Sequence, residues 1–442
     1  MSRTRIAIVC AAAAVVVALA VASFAGARTG SASKTGRNTA VSGSISFDGV
    51  WTGTEATAFG KVIAAFNKQY PKVKVNYRPL GNNVNTVLAT AIAGGHPPDM
   101  ADIAQPGLVK QYATQGKLKP ITYAKSVIAQ NFAPAWQQLG TFNGKLYALV
   151  FKAANKSTLW YNVPAFKAAG VQAPKTWAQL TSVANTLKAS GTPPYSICGA
   201  SGWTLTDLFE NIYLRTFGSA KYEALSAHKI KWTDPSVIAA LKTMGGVLAS
   251  DNIAGGTSGA LQTDFPTCVT NAFASPPQGA IVLEADFVGG VILSSTKAQA
   301  GTGFNAVPFP SIKPGPNAGA VEIGGDLFVT FRDTPAIEAF VKFLATAPAA
   351  APWVKLGGFG TGNKNVPASW YPDAITRVTE APIGQAKSVV FDMSDEQPAS
   401  FGSTTGQGEW GLFQTFLQNP SDVQGIAQKL EAAAAAAYKA GK

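Results

Sequence analysis

From residue 45 the hydrophobic positions switch between two periods. Ile45, Phe47, Val50 and Trp51 read as a strand, and a Thr/Gly loop leads into a helix near Glu55. Phe59, Val62, Ile63, Phe66 and Tyr70 then fall on one stripe at helical spacing, which Pro71 ends. Val73, Val75 and Tyr77 alternate with Lys74 and Asn76 as a half-buried strand. Val84, Val87, Leu88, Ala91 and Ile92 return to the helical period until Gly94-Gly95, and a third strand is predicted over 99–104. This order predicts a parallel sheet covered by helices. Ligands of such sheets sit beyond the carboxyl ends of the strands, which is where Trp51 and Gln105 fall.

Residues 146–161 are extended and apolar around Lys152, Asn155 and Lys156, and they read as a crossing into a second lobe. The stretch 174–271 is largely helical, with Gly/Ser punctuation at 199–203 and 255–259. Strand-like runs return at 280–283 and 327–331, and the tail from 422, with its alanine run, is a strong helix former.

A chain of 442 residues exceeds the usual single-core size, and 47% hydrophobic with 14% charged residues suits a well-buried globular protein. The N-terminus changes the picture. Arg3 and Arg5 precede an unbroken apolar run over 6–25, followed by Ala25-Gly26-Ala27, the pattern of an export signal. A run of this length also suits an uncleaved membrane anchor, so 1–27 is assigned to either. Residues 28–43 are Ser/Thr/Gly-rich and read as a disordered linker. The net charge is +12, but five basic and no acidic residues precede Val41, which leaves +7 on the rest. No Lys/Arg cluster of the kind nucleic acid requires is present. Beyond Cys10 only Cys198 and Cys268 remain, in an exported chain either a disulfide or two buried thiols.

Catalytic material is scarce. His96 and His228 are the only histidines, neither spaced with further metal ligands, and the zinc-peptidase, serine-hydrolase and P-loop strings are absent, so no metal and no cofactor are predicted. Glu284/Asp286 and Asp392/Asp395 are the carboxylate pairs that a secreted glycoside hydrolase would need. An anchored glycan sensor is a third reading. Nine tryptophans include Trp51, Trp203, Trp353 and Trp410 in loop-like settings, with Glu55, Asp207, Glu210 and Glu409 close by in sequence. Indole rings stack on the C–H faces of sugars while carboxylates and amides take the hydroxyls.

Asn143-Gly144-Lys145-Leu146-Tyr147-Ala148, Lys156-Ser157, Leu159-Trp160-Tyr161-Asn162 and Pro174-Lys175-Thr176-Trp177 resemble the extracellular solute-binding proteins of ABC importers, the family that includes maltose-binding protein. Val150 stands where that family often has proline. Gly202-Trp203, Thr206-Asp207, Glu210, Gly324-Gly325-Asp326, Tyr371-Pro372, Phe391-Asp392 and Ser394-Asp395 resemble its alpha-glucoside-type sugar receptors. The resemblance implies an α/β, two-lobed periplasmic-binding-protein-like fold of type II, each lobe a β-sheet flanked by helices with a cleft between. The expected division is 44–150 with about 280–335 in lobe 1, and 151–279 with about 336–442 in lobe 2. It further implies a monomer that carries out no chemistry, binds a sugar by lobe closure outside the cytoplasm, and hands it to permease subunits at the membrane. Carried over by position as ligand-binding residues, Trp51 and Gln105 would line the first lobe's rim, Lys152 and Asn155 the hinge, and Trp203 and Asp207 would come from the second lobe, with Asp286, Asp326 and Trp410 completing the cleft.

Overall fold

The computed structural model describes residues 38, 40–385 and 390–440; the expected signal or anchor segment and the larger part of the linker lie outside them. The first strand, β1 (Ser42–Gly49), begins two residues inside the expected linker. It is followed by β2 (Lys72–Pro79), β3 (Met100–Ile103), the hairpin β4 (Thr141–Phe142) and β5 (Lys145–Leu146), and β6 (Ala148–Asn155). Then come β7 (Thr158–Asn162), β8 (Ile281–Leu283), β9 (Phe304–Pro308), β10 (Glu322–Thr330) and β11 (Val390–Phe391).

Two sheets organise the chain. In the first, β1 lies between β2 and β3 and runs parallel to both, as the alternating periods predict. β10 then enters antiparallel, with β3 along one edge and β6 along the other, and β11 adds a short parallel pair. In the second sheet β7 is the centre, antiparallel to β8 and β9.

Each sheet buries a separate core. Helix Gly53–Gln69 lays Phe59, Val62 and Phe66 on the first sheet, where Phe47 meets Phe59, Phe328 and Phe340 edge to face with ring centroids 5.0–6.3 Å apart. Each such buried side chain contributes roughly 1.5–3 kcal/mol. Around the second sheet, helix Trp203–Phe217 is buried along almost its whole length. The tail helix Val423–Ala440 docks there through Ile426, Leu430 and Ala434, so its alanines serve as a close-packing face. A third cluster joins Trp160, Phe265, Val282 and Phe304 beside that sheet.

The expected division of the chain is corrected at its second half. Residues 280–309 stay in the second lobe, because β8 and β9 pair with β7. The first lobe regains the chain at β10 and keeps helices Pro335–Leu344 and Ala347–Val354, whose Ile337, Phe340, Phe343 and Trp353 pack into the first core. The last handover comes at β11, after which Met393, Phe401 and Phe413 belong to the second core. Apolar runs alone could not assign these segments, since both cores demand the same residue types. The handovers near Lys156, Glu322 and Asp392 lie together: the Lys156 amide donates to the Glu322 carbonyl, and the Asp392 amide to that of Ile323.

Candidate functional site

A cleft of about 300 Å³ opens between the two sheets. Its first wall comes from loops that leave the carboxyl ends of β1, β2 and β3. Trp51 follows β1, Asn82 and Asn85 follow β2, and Gln105 caps β3 at the start of helix Pro106–Thr114. The opposite wall comes from the second lobe: Ser201 and Trp203, then Asp264, Phe265 and Pro266, then Phe287, Asp395 and Trp410. Lys152, Lys156 and Asp326 form the floor.

A disulfide holds the second wall together. It joins Cys198 to Cys268 with Cα atoms 5.3 Å apart, and each cysteine flanks a cleft-lining segment. The segments are also joined by hydrogen bonds: the Ala200 amide donates to the Thr263 carbonyl and the Phe265 amide to Ser201 Oγ at 2.9 Å. Trp203 thereby sits 5.3 Å from the Phe265 ring and 6.0 Å from that of Phe287, a partly exposed aromatic surface facing the first lobe.

Polar groups tie the walls and the floor. Trp51 Nε1 donates to Asp326 Oδ2 at 3.0 Å. Gln105 Nε2 donates to Asp395 Oδ1 at 3.0 Å, and Asn85 Nδ2 to Gln105 Oε1 at 2.9 Å and to the Ser403 carbonyl. Lys152 Nζ lies 2.7 Å from Glu55 Oε1 and 4.7 Å from the centre of the Phe287 ring. Burial alone would discharge this ammonium, but Glu55 and Asp326 outweigh it and hold its pKa above the ordinary lysine value. Asp326 is itself pushed up by burial, with Lys152 opposing.

The floor carries a second cation. Lys156 Nζ is 2.9 Å from Asp207 Oδ1, contacts Asp392, and sits 5.6 Å from the centre of the Trp203 ring. Burial works against its charge, and Asp207, Asp392, Asp395 and Glu322 together keep it protonated. Burial lifts the Asp207 carboxyl to about 7 against the pull of Lys156. Asp207, Glu322 and Asp392 each place an oxygen within 4.8 Å of the others, near enough to hold a metal ion, but the Lys156 ammonium already supplies the positive charge to two of them.

Of the nine residues expected at the ligand, the structure brings Trp51, Gln105, Lys152, Trp203, Asp326 and Trp410 to the cleft. The other three lie away from its lining. Asn155 is a hinge residue: its amide donates to Asp286 Oδ2 at 2.9 Å, and its Oδ1 accepts from the Ser157 amide. Asp286 is fully buried on that contact, and Asp207 on Lys156. All three are taken up by protein partners beside the joint between the lobes rather than turned to the opening. Neither hydrolase pair faces the cleft together: Glu284 and Asp286 are buried, and of the other pair Asp392 is buried against Lys156 while only Asp395 lines the opening. Asn82, Asn85, Asp264, Phe265 and Phe287 were not expected. The strand-end rule that found Trp51 and Gln105 reaches Asn82 and Asn85, which follow β2 in the same way.

A sequence model described as bacterial extracellular solute-binding protein matches residues 51–351. The chain belongs to that family. Its members are binding proteins of ABC transporters rather than enzymes. The chain is 30% identical to the "Alpha-glucosides-binding periplasmic protein AglE" of Rhizobium meliloti, over 80% of each chain. It is 28% identical to the "Osmoprotective compounds-binding protein GgtB" of Synechocystis sp., over 81% of this chain and 85% of that one. Among solved structures, a chitin oligosaccharide binding protein superposes with a TM-score of 0.77 at 19% identity, covering 90% of this chain and 99% of the other, and so shares the two-lobed fold. Among the described residues no helix is long and apolar enough to cross a membrane.

Proposed function

We propose that this family member is the receptor of an ABC sugar importer, that it captures an oligosaccharide of the alpha-glucoside class between its lobes, and that it presents the closed complex to the permease as an exported monomer. The observation that carries the reading is the cleft itself, with Trp203 and Phe265 on one wall facing Asn82, Asn85 and Gln105 on the other. Rings stack on the C–H faces of pyranoses, and amides and carboxylates take their hydroxyls. The similarity to an alpha-glucosides-binding protein over most of both chains supports the linkage class. Closure follows from linkage: a ligand that touches both walls stabilises the closed arrangement by its differential affinity for it, and the segments at Lys156, Glu322 and Asp392 absorb the motion.

The test is a thermal-shift screen of residues 44–442, followed by calorimetry, against maltose, trehalose, sucrose, maltotriose, xylo-oligosaccharides, chitobiose and amino acids. Only a ligand of the native state raises the midpoint. A shift with an α-linked glucoside supports the reading. A folded protein that answers only to xylo-oligosaccharides or chitobiose overturns the linkage class, and one that answers only to amino acids overturns the sugar.

A further inference from the structure

We infer that the cleft sorts glycans by charge, accepting neutral and amine-bearing sugars and rejecting those that carry a carboxylate or a phosphate. The inference rests on the sugar reading above and adds to it the chemical class of cargo.

The ionisable side chains that line the cleft are Glu55, Asp264, Asp326 and Asp395 against Lys152 and Lys156, with no arginine among the described lining residues. Both ammonium groups are committed. Lys152 is held by Glu55 at 2.7 Å, and Lys156 by Asp207 at 2.9 Å and by Asp392. An anionic sugar would have to displace a resident carboxylate to reach either one, since two like charges at such a distance repel.

Hydrogen-bond polarity points the same way. Two of the cleft's donors are turned onto protein carboxylates: Trp51 Nε1 onto Asp326 and Gln105 Nε2 onto Asp395. Two of the helix N-termini at the cleft, which attract anions, carry acidic side chains. Glu55 occupies the first turn of helix Gly53–Gln69, and Asp264 caps helix Phe265–Ala272 by accepting from the Thr267 amide at 3.0 Å. Carboxylate acceptors stay open to a ligand on both walls. The Glu55 side chain is one-third exposed at 33%, and Asp264 is exposed on the facing wall. Sugar hydroxyls and ammonium groups donate to such oxygens, whereas a carboxylate or phosphate dianion has no proton to offer.

The experiment is calorimetric titration of the folded protein at pH 8 with maltose and trehalose, each as the neutral sugar and as its 6-amino-6-deoxy, 6-carboxylate and 6-phosphate forms. For the disaccharide that binds, the 6-amino form is expected within about threefold of the neutral sugar and the two anionic forms at least tenfold weaker, a gap of about 1.4 kcal/mol. Glu55→Gln, which frees Lys152, is expected to narrow that gap. Anionic forms that bind as well as the neutral sugar overturn the charge inference and leave the sugar reading intact. Equal losses for the amino and carboxylate forms also overturn it, because bulk rather than charge would then decide. No binding of any form of either sugar, in a folded protein that also fails to answer sucrose and maltotriose, removes the α-glucoside reading and this inference with it.

Discussion

The indole N–H of Trp51, at the end of β1, donates to Asp326 Oδ2 on β10, 3.0 Å away in space and 275 residues along the chain. The contact pins the rim of the first lobe to the cleft floor. Its ring is otherwise core, packed at 4.8 Å on Trp353 and 5.0 Å on Phe59. Trp51→Phe keeps most of that packing and strips the buried carboxylate of a donor, so urea unfolding should show a loss of about 1–3 kcal/mol. A change under about 0.5 kcal/mol would mean that Asp326 finds another donor.

Lys156 is the positive centre of the hinge. Lys156→Met leaves Asp207 and Asp392 buried without a counter-charge and should cost about 3–5 kcal/mol, with Asp207→Asn and Asp392→Asn on the same background restoring part of it. If the single variant unfolds at the wild-type denaturant midpoint, the pair is dispensable to the fold.

Trp203 and Trp410 differ in kind although both line the cleft. Trp203 is partly exposed, whereas Trp410 is 5% exposed and its Nε1 has no hydrogen-bond partner in the structure. Trp203→Ala should therefore weaken sugar binding about tenfold or more with a small change in melting temperature. Trp410→Ala should lower both. Calorimetry and thermal unfolding run in parallel separate the two outcomes, and a Trp203 variant with undiminished affinity would remove that ring from the site.

The disulfide closes a loop with a sequence separation of 70 residues beside the aromatic wall. Cys198→Ser with Cys268→Ser should cost about 4 kcal/mol of stability by the chain-entropy argument. It should also loosen the Trp203 and Phe265 segments, and so weaken binding several-fold in protein that is still folded. Wild-type affinity in the reduced protein would show that the hydrogen bonds alone hold the wall.

Burial raises the Asp286 carboxyl to about 7, against the Asn155 amide and Lys152, which pull it down. Its folded pKa exceeds the unfolded value of about 3.9, so the folded state binds the extra proton. The stabilisation is complete below about pH 4 and declines as pH rises through 7. Asp286→Asn imitates the protonated carboxyl and should flatten the stability profile over that window while raising stability at pH 8. A profile unchanged by the substitution would assign the slope to another buried acid, Asp207 being the first to test.

Much of the first lobe is legible in the sequence because its strands and helices alternate locally: β1, the helix after it and β2 need only their own periods to be read. The cleft rim at Trp51 and Gln105 is legible for the same reason. β10 is harder. Its apolar residues reveal a strand, but its antiparallel place between β3 and β6 depends on partners far away in sequence. Asp207 and Asp286 lie away from the cleft lining for a common cause. A resemblance carries a position but not its partners, and these carboxylates are spent on groups distant in sequence, Asp286 on the Asn155 amide and Asp207 on Lys156. Asp264 and Phe265 could not have been placed at all without knowing that the disulfide brings their loop beside Trp203.

The position of β10 also bears on how the chain acquires its shape in time. Emerging from its N-terminus, it exposes β3 and β6 while the strand that belongs between them is still unmade, and the entire sheet of the second lobe comes first. Until then two strand edges stay open and the first core lacks Phe328, Phe340 and Phe343. Such non-local closure makes folding slow and keeps it incomplete until the last third of the chain is available. A sheet that cannot close early leaves the first lobe without its complete core until β10 and the helices after it are available.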